Sequence, residues 1–315
     1  MSNTTESLRR KIDSAGDLQG VVRTMKALAA SSIGQYEKSV RALADYYRAV
    51  ELGLAACFRS SEVWAAGMQR RQTVDASAIE AIVFGSDQGL VGQFNDIVVD
   101  CAIKTLAALP GEHRIWAVGE RVHARLADAG LPPAGLFAVP TSVTTIGALI
   151  GQILVASSTS GGAAGELHLF YNRPTSGAAY APVSQRLLPL DENWCRKLIE
   201  APWPTHNLPE VIGHGTATLR ALIREYLFIS LFRACAESLA SENASRLAAM
   251  ERADRNIEQL LENLQRTFHR LRQNDIDEEL FDVISGFEAL RLSPSSTSSH
   301  GVTSVRQRTE PRVGA

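Results

Sequence analysis

The stretch GSDQGLVGQFN, residues 85–95, carries the residue types most often used to cradle phosphate. It follows the apolar run AIEAIVF and leads into NDIVVDCAIKTLAAL, so its glycines stand at a strand-to-helix turn. Backbone N–H groups at such a turn point toward an anion, and the helix start adds partial positive charge. The spacing argues against that chemistry. Gly85, Gly89 and Gly92 form G-x3-G-x2-G, neither G-x-G-x-x-G nor G-x4-G-K-[ST], and no lysine follows. A dinucleotide site also needs an acidic residue at the end of the next strand, where Val118 and Gly119 stand. A tight turn accounts for the glycines without a ligand. Its members are Gly85, Asp87, Gly89, Gly92 and Asn95. On that reading valine at Gly89 damages folding, and neither ATP nor NAD binds the chain.

Other chemistry finds less support. None of the seven histidines falls in H-E-x-x-H or beside a cysteine pair, so a metal is not expected. No G-x-S-x-G marks a nucleophile. Catalytic residues and cofactors are therefore expected to be absent. With 32 Lys and Arg against 34 Asp and Glu, nothing points to nucleic acid. No apolar run is long enough to cross a bilayer. The polar start MSNTTESLRR lacks the apolar core of a secretory signal. Cys57, Cys101, Cys195 and Cys235 are scattered without a C-x-x-C pair, as in a reduced cytoplasmic chain. A chain of 315 residues with no catalytic constellation reads as an interaction or mechanical component.

The elements behind the loop explain what kind. All twelve prolines fall between Pro110 and Pro209 or at Pro294 and Pro311. Proline breaks helices, so the two proline-free ends read as long helices around a mixed middle. In the first, a heptad line runs Leu8, Ala15, Val22, Ala29, Tyr36, Leu43, Val50, Cys57. Its partner line runs Ile12, Gln19, Lys26, Ile33, Val40, Tyr47, Leu54, broken only by Gln19 and Lys26. Sustained 3.5-residue spacing is a coiled-coil signature. It predicts a helix from Glu6 to Arg59. The C-terminal helix is expected from Thr216 to Leu290. Its seam holds Leu247, Met250, Ile257, Leu261, Leu264, Phe268 and Leu271, with Asp254 as the exception. After Asp275 the phase shifts and Ile276, Leu280, Val283, Ile284 and Phe287 carry on. Each seam needs a partner, and the other is the obvious one.

Between them strands and helices alternate: strand AIEAIVFG, helix NDIVVDCAIKTLAAL, strand RIWAVG, helix ERVHARLADAG, strand GLFAVP, helix SVTTIGALIGQILVASS, strands ELHLFYN and SQRLLPL. Such alternation predicts a parallel sheet covered by helices. The expected divisions are a helix over 1–70, an α/β domain over 71–210, a helix over 211–290 and a disordered Ser/Thr-rich tail over 291–315.

Three stretches together resemble the γ subunit of F-type ATP synthases. LRRKIDSAGDLQGVVRTMKALAASS resembles that family's opening helix, with Met25 ahead of Ala29-Ala30-Ser31. GSDQGLVGQFN resembles its S-D-[RK]-G-L-C-G-x-[LF]-N. The closing SLASENASRLAAMERADRN and RQNDIDEELFDVISGFEAL resemble its C-terminal signature, so the likeness spans residues 6–290 in order. The resemblance implies a long antiparallel coiled coil of N- and C-terminal helices with an inserted Rossmann-like α/β domain. It implies a rotor shaft inside a ring of α and β subunits, with the α/β domain beside ε and on the membrane c-ring. The complex would lie peripherally on the cytoplasmic face of the bacterial inner membrane. Nucleotide chemistry would belong to β. Carried over, Met25, Lys26, Arg246, Arg272 and Gln273 would contact β. Asp277 stands in place of a usual threonine, Val91 of a cysteine, Gln93 of a small residue and Ser32 of a lysine, as in a divergent γ. Two other readings stay open: a nucleotide-binding α/β enzyme with coiled-coil dimerisation arms, and a generic coiled-coil scaffold.

Overall fold

Proline-free sequence lets the backbone N–H ladder run unbroken, and each end of the chain is one helix: α1, Thr5–Arg59, and α6, Gly215–Arg291. The structure, a computed structural model, describes residues 4–59, 78–159, 165–175, 180–207 and 215–291. Arg291 closes α6, and the rest of the expected tail lies outside the described residues. The chain divides into two compact units, Gly16–Gln259 and Met1–Ala15 with Leu260–Ala315.

In the larger unit the heptad line of α1 is buried at Val22, Ala29, Tyr36, Val50 and Cys57 and half-buried at Leu43. The partner line is half-buried at Lys26, Ile33, Val40 and Tyr47 and closes on Leu54, which is 0% exposed. The helices run antiparallel. Gln19 and Arg23 of α1 meet Asp254 of α6, whereas Tyr46 donates to Glu225 at 2.8 Å and the Tyr47 ring lies 6.2 Å from Tyr226. The three polar interruptions of the seams belong together. Asp254 accepts from Gln19 Nε2 at 3.2 Å and Arg23 Nε at 3.3 Å, with Lys26 Nζ at 3.9 Å. One polar layer thus replaces an apolar one, and its acceptor and donors are matched across the helices.

The middle of the larger unit is a five-stranded sheet of order β3-β2-β1-β4-β5. Its elements are β1 (Ala78–Phe84), α2 (Phe94–Ala107), β2 (Glu112–Val118), α3 (Glu120–Asp128), β3 (Gly135–Phe137), α4 (Val143–Thr159), β4 (Glu166–Arg173), β5 (Ala181–Leu188) and α5 (Glu192–Glu200). β1, β2, β3 and β4 pair in parallel, but β5 pairs antiparallel to β4, so the expected all-parallel sheet is mixed. The reason is connection length. Seven residues separate Arg173 from Ala181, fewer than a parallel crossover needs, so the chain can only turn back.

Apolar alternation on the strands feeds two cores. On one face Ile79, Ala81 and Val83 pack with Val98, Leu106, Val122 and Leu126 of α2 and α3. On the other, Ile82, Phe84, Leu169 and Tyr171 pack with Ile146, Ile150 and Ile153 of α4 and with Leu231, Cys235 and Leu239 of α6. The long helix is thereby a layer of the domain. A third cluster joins Val50, Leu54 and Phe58 of α1 to Tyr226 and Ile229 of α6 and Cys195 of α5. The sequence reading missed α5. Its signal is Asp191, whose carboxylate caps the helix by accepting from the Asn193 and Trp194 N–H groups at 2.7 and 3.2 Å.

In the smaller unit Leu8 and Ala15 are buried, and Leu261, Leu264, Phe268 and Leu271 are half-buried. Thr5, the first residue of α1, donates from Oγ1 to Asp275 Oδ2 at 2.7 Å. From Arg272 through Glu288 every residue of α6 is exposed. Ile276, Leu280, Val283, Ile284 and Phe287 are thus exposed where the seam is expected to carry on: among the described residues α1 reaches back only to Thr5.

Cysteines replacing Tyr46 and Glu225 should form an intramolecular disulfide under mild oxidation, read as a gel shift, while cysteines at Tyr46 and Asp254 should not. The reverse outcome would exclude the antiparallel register. Leu54→Ala should cost about 2–5 kcal/mol in denaturant unfolding.

Candidate functional site

The glycine loop between β1 and α2 is held by its own side chains. Asn95 Oδ1 accepts the Ser86 N–H at 3.0 Å, and Asn95 Nδ2 donates to Ser86 Oγ at 2.9 Å. Ser86 Oγ reaches the Gln88 carbonyl at 2.9 Å. The Asp87 carboxylate accepts from Glu120 N at 3.0 Å and Val139 N at 2.9 Å, tying the loop to the start of α3 and to the chain after β3. Gly85 N donates to Val118 O at 2.8 Å. An anion would have to compete for these N–H groups while facing Asp87. The loop is built as a joint.

Glycine is needed at particular places. A Cβ on Gly85 would lie 1.9 Å from Val122 Cγ2 and 2.8 Å from Asn95 Oδ1. Gly92 has φ +58°, in the left-handed region that L side chains avoid. Gly119, outside the motif, has φ +113° and would set a Cβ 2.8 Å from the Ser86 backbone. Gly89 has neither constraint, its nearest neighbour being the Arg121 guanidinium at 3.7 Å. The demand expected at Gly89 is met instead at Gly85, Gly92 and Gly119.

What the loop joins is α6. Residues 234–243 of that helix are buried on every side. A helix buried all round must satisfy its polar side chains locally. Ser245, Ser241 and Glu237 reach the loop and the sheet, Asn243 bonds back to the Leu239 carbonyl, and Ser238 Oγ has no partner among the described residues. Ser245 Oγ donates to the Val91 carbonyl of the loop. Ser241 Oγ lies 3.0 Å from the Asn172 carbonyl of β4, and Asn172 Nδ2 donates to the Phe94 carbonyl at the start of α2 at 2.8 Å. Buried Glu237 takes Arg173 Nε at 2.8 Å and Arg233 Nε at 2.7 Å. Beside it Tyr171 is pushed up to about 12, by burial first and then by Glu237. Glu242 is paired with Arg246 at 2.7 Å. Burial raises the Glu242 carboxyl most, Arg246 opposes that, and Asp87 adds to it. Ser241, Ser245, Asn172 and Glu237 were not singled out in the sequence. The signal was present, since serine and asparagine are poor helix-interior residues unless they bond elsewhere.

Of the five residues carried over as partner contacts, Met25 and Lys26 are half-buried on α1, Lys26 turned toward Asp254. Arg246 is mostly buried, and its Nε has no hydrogen-bond partner among the described residues. Arg272 and Gln273 belong to the smaller unit and are exposed. Among the described residues no group of three His, Cys, Asp or Glu is placed to hold a metal.

Gly85→Ala should destabilise the chain by about 3 kcal/mol through the Val122 clash, whereas Gly89→Ala should stay within about 0.5 kcal/mol. Chemical denaturation of the two variants separates these cases. Glu242 gives a pH signature. A carboxyl raised in the folded state gains a proton on folding, so its contribution falls as pH rises from the ordinary glutamate range through the raised value. Glu242→Gln should flatten that part of the stability–pH curve, and an unchanged curve would place the titration elsewhere.

A family model described as ATP synthase matches residues 4–290. The ATP synthase gamma chain of Clavibacter sepedonicus is 28% identical over 298 residues, 90% of this chain and 97% of the relative. That of Salinibacter ruber is 27% identical over 305 residues, 91% of this chain and 98% of the relative. Among solved structures, a chain from the rotor of the Euglena gracilis mitochondrial ATP synthase aligns with TM-score 0.58 and 17% identity over 86% of this chain and 98% of its own. A chain of the Tetrahymena thermophila mitochondrial ATP synthase central stalk and c-ring aligns with TM-score 0.53 and 21% identity over 74% of this chain and 99% of its own.

Proposed function

This chain belongs to the family of ATP synthase gamma chains, and we propose that it turns as the central shaft of an F-type complex, its helical end inside a ring of α and β subunits. One observation carries this reading. Where α1 stops, α6 goes on with Ile276, Leu280, Phe281, Val283 and Ile284 between 46% and 69% exposed. A helix that shows this much apolar surface is built to be covered, and an enclosing ring covers it. The α/β domain then lies outside the ring, beside ε and on the c-ring, at the cytoplasmic face of a bacterial membrane. The enzyme reading gains nothing from a glycine loop whose Gly85 and Ser86 N–H groups are committed, whose Asp87 carboxylate would face an anion, and whose Val91 carbonyl is tied to α6.

Torque must pass from the foot to the helix without slack. The loop–helix lock supplies that path: twisting α6 against the sheet would break the Ser245–Val91 and Ser241–Asn172 hydrogen bonds and shear a shared apolar core. Nucleotide chemistry stays with β. On the shaft, Met25 and Lys26 would meet the moving levers of β. Arg246, with an unused buried Nε, would offer it to a partner oxygen. Arg272 and Gln273 would reach β from the exposed end, where a planar guanidinium suits a carboxylate or backbone carbonyl.

Such a contact depends on rotor angle, so its loss should change turnover more than assembly. Arg272→Ala with Gln273→Ala should leave the complex assembled with α and β and lower ATP hydrolysis about tenfold, as expected from loss of a 1–2 kcal/mol contact. A double variant that assembles and turns over like the parent would remove these two residues from the contact.

A further inference from the structure

Beyond Leu271 the helix α6 keeps its heptad line but changes what stands on it. The seam residues Leu261, Leu264, Phe268 and Leu271 are followed, at the same spacing, by Asp275, Glu278 and Asp282. An apolar line of equal spacing opens one residue later at Ile276 and passes through Leu280 and Val283. One residue along a helix is a turn of about 100°. The apolar line therefore faces away from the side that met α1, and an acidic line takes over that side.

The acidic line is costly as it stands. Asp275 with Glu279 and Glu278 with Asp282 are like charges at i,i+4, which repel. No lysine or arginine occurs from 274 to 290 to offset them. Asp275 accepts from Thr5, and none of Glu278, Glu279 and Asp282 has an ion pair among the described residues. All of them are exposed. Repulsion of this kind along one line, beside an apolar line on the next, is relieved by a partner that is apolar on one wall and basic on the adjoining one.

We propose that the last turns of α6 form a two-sided docking surface for one enclosing protein partner: the line Ile276–Leu280–Val283 packs on its apolar wall, and the line Asp275–Glu278–Asp282 meets its lysine or arginine side chains. The proposal rests on the central-shaft reading and adds the charge of the surface that encloses the shaft. Basic groups spaced around a ring present a similar counter-charge at each rotor position, so the attraction holds the shaft in place at every angle of the turn.

The test uses complexes assembled from purified α, β and this chain, with release of the labelled chain followed at low and high sodium chloride. Wild-type chain should leave about tenfold faster at high salt, since exposed pairs are each weak and screened. Glu278→Gln with Glu279→Gln and Asp282→Asn should leave at that fast rate at both salt concentrations. A triple variant with the wild-type rate and salt response would overturn the proposal. Leu280→Ser with Ile284→Ser should speed release at every salt concentration and leave the salt response intact, and an unchanged rate would overturn the apolar half. Failure of the wild-type chain to assemble at all would instead sink the shaft reading beneath it.

Discussion

Ten successive residues of α6, 234–243, are buried on every side, and the rest of the molecule is arranged around that burial. A helix usually offers one face to a core. This one offers its faces to α1, to the sheet and to the glycine loop. The small residues Ala234, Ala236, Ala240, Ser238 and Ser241 let those neighbours approach, and Ser241 finds an acceptor at the contact. Burial on that scale welds a helix to a domain, where a single amphipathic face would only lay one against the other. The glycines of the loop follow from the same constraint, because the loop must pass close to Val122 and Ser245.

The two ends of the seam are finished differently. Within the larger unit a polar layer, Gln19, Arg23 and Lys26 around Asp254, interrupts an otherwise apolar contact. Shifting the helices by one heptad would move Asp254 toward Ala15 or Ala29 and cost it most of these donors, so the layer favours one register. In the smaller unit the pairing stops at Thr5 and Asp275. After that point α6 meets no further turn of α1 among the described residues, and Ile276, Leu280 and Val283 stand exposed.

Much of this was legible in the residues. Both long helices end where the absence of proline and the heptads put them, because a seven-residue period repeated along fifty residues has few other meanings. The three parallel crossovers were equally plain. The antiparallel β5 was hidden because strand direction is set by what connects the strands, and its own residues read alike in either sense. The helix α5 was passed over because nine residues give periodicity little room, though Asp191 announced it. In the joint, Gly85 and Asn95 were visible as a motif, but Gly119 acts through Ser86, a contact that no local pattern encodes. Ile276 and its neighbours were read as more seam since spacing alone does not say which helix an apolar line faces.

The central claim is that the α/β domain and the long helix turn as one body within the complex. The direct measurement is single-molecule rotation in complexes whose ring is fixed to a surface. The probe is carried on a cysteine placed at exposed Leu136 of β3 in a chain whose native cysteines are replaced. On adding ATP, a keyed shaft predicts one-way rotation of the probe in steps of a third of a turn, one for each β. ATP hydrolysis at a normal rate with the probe stationary, or swinging without net rotation, would contradict it.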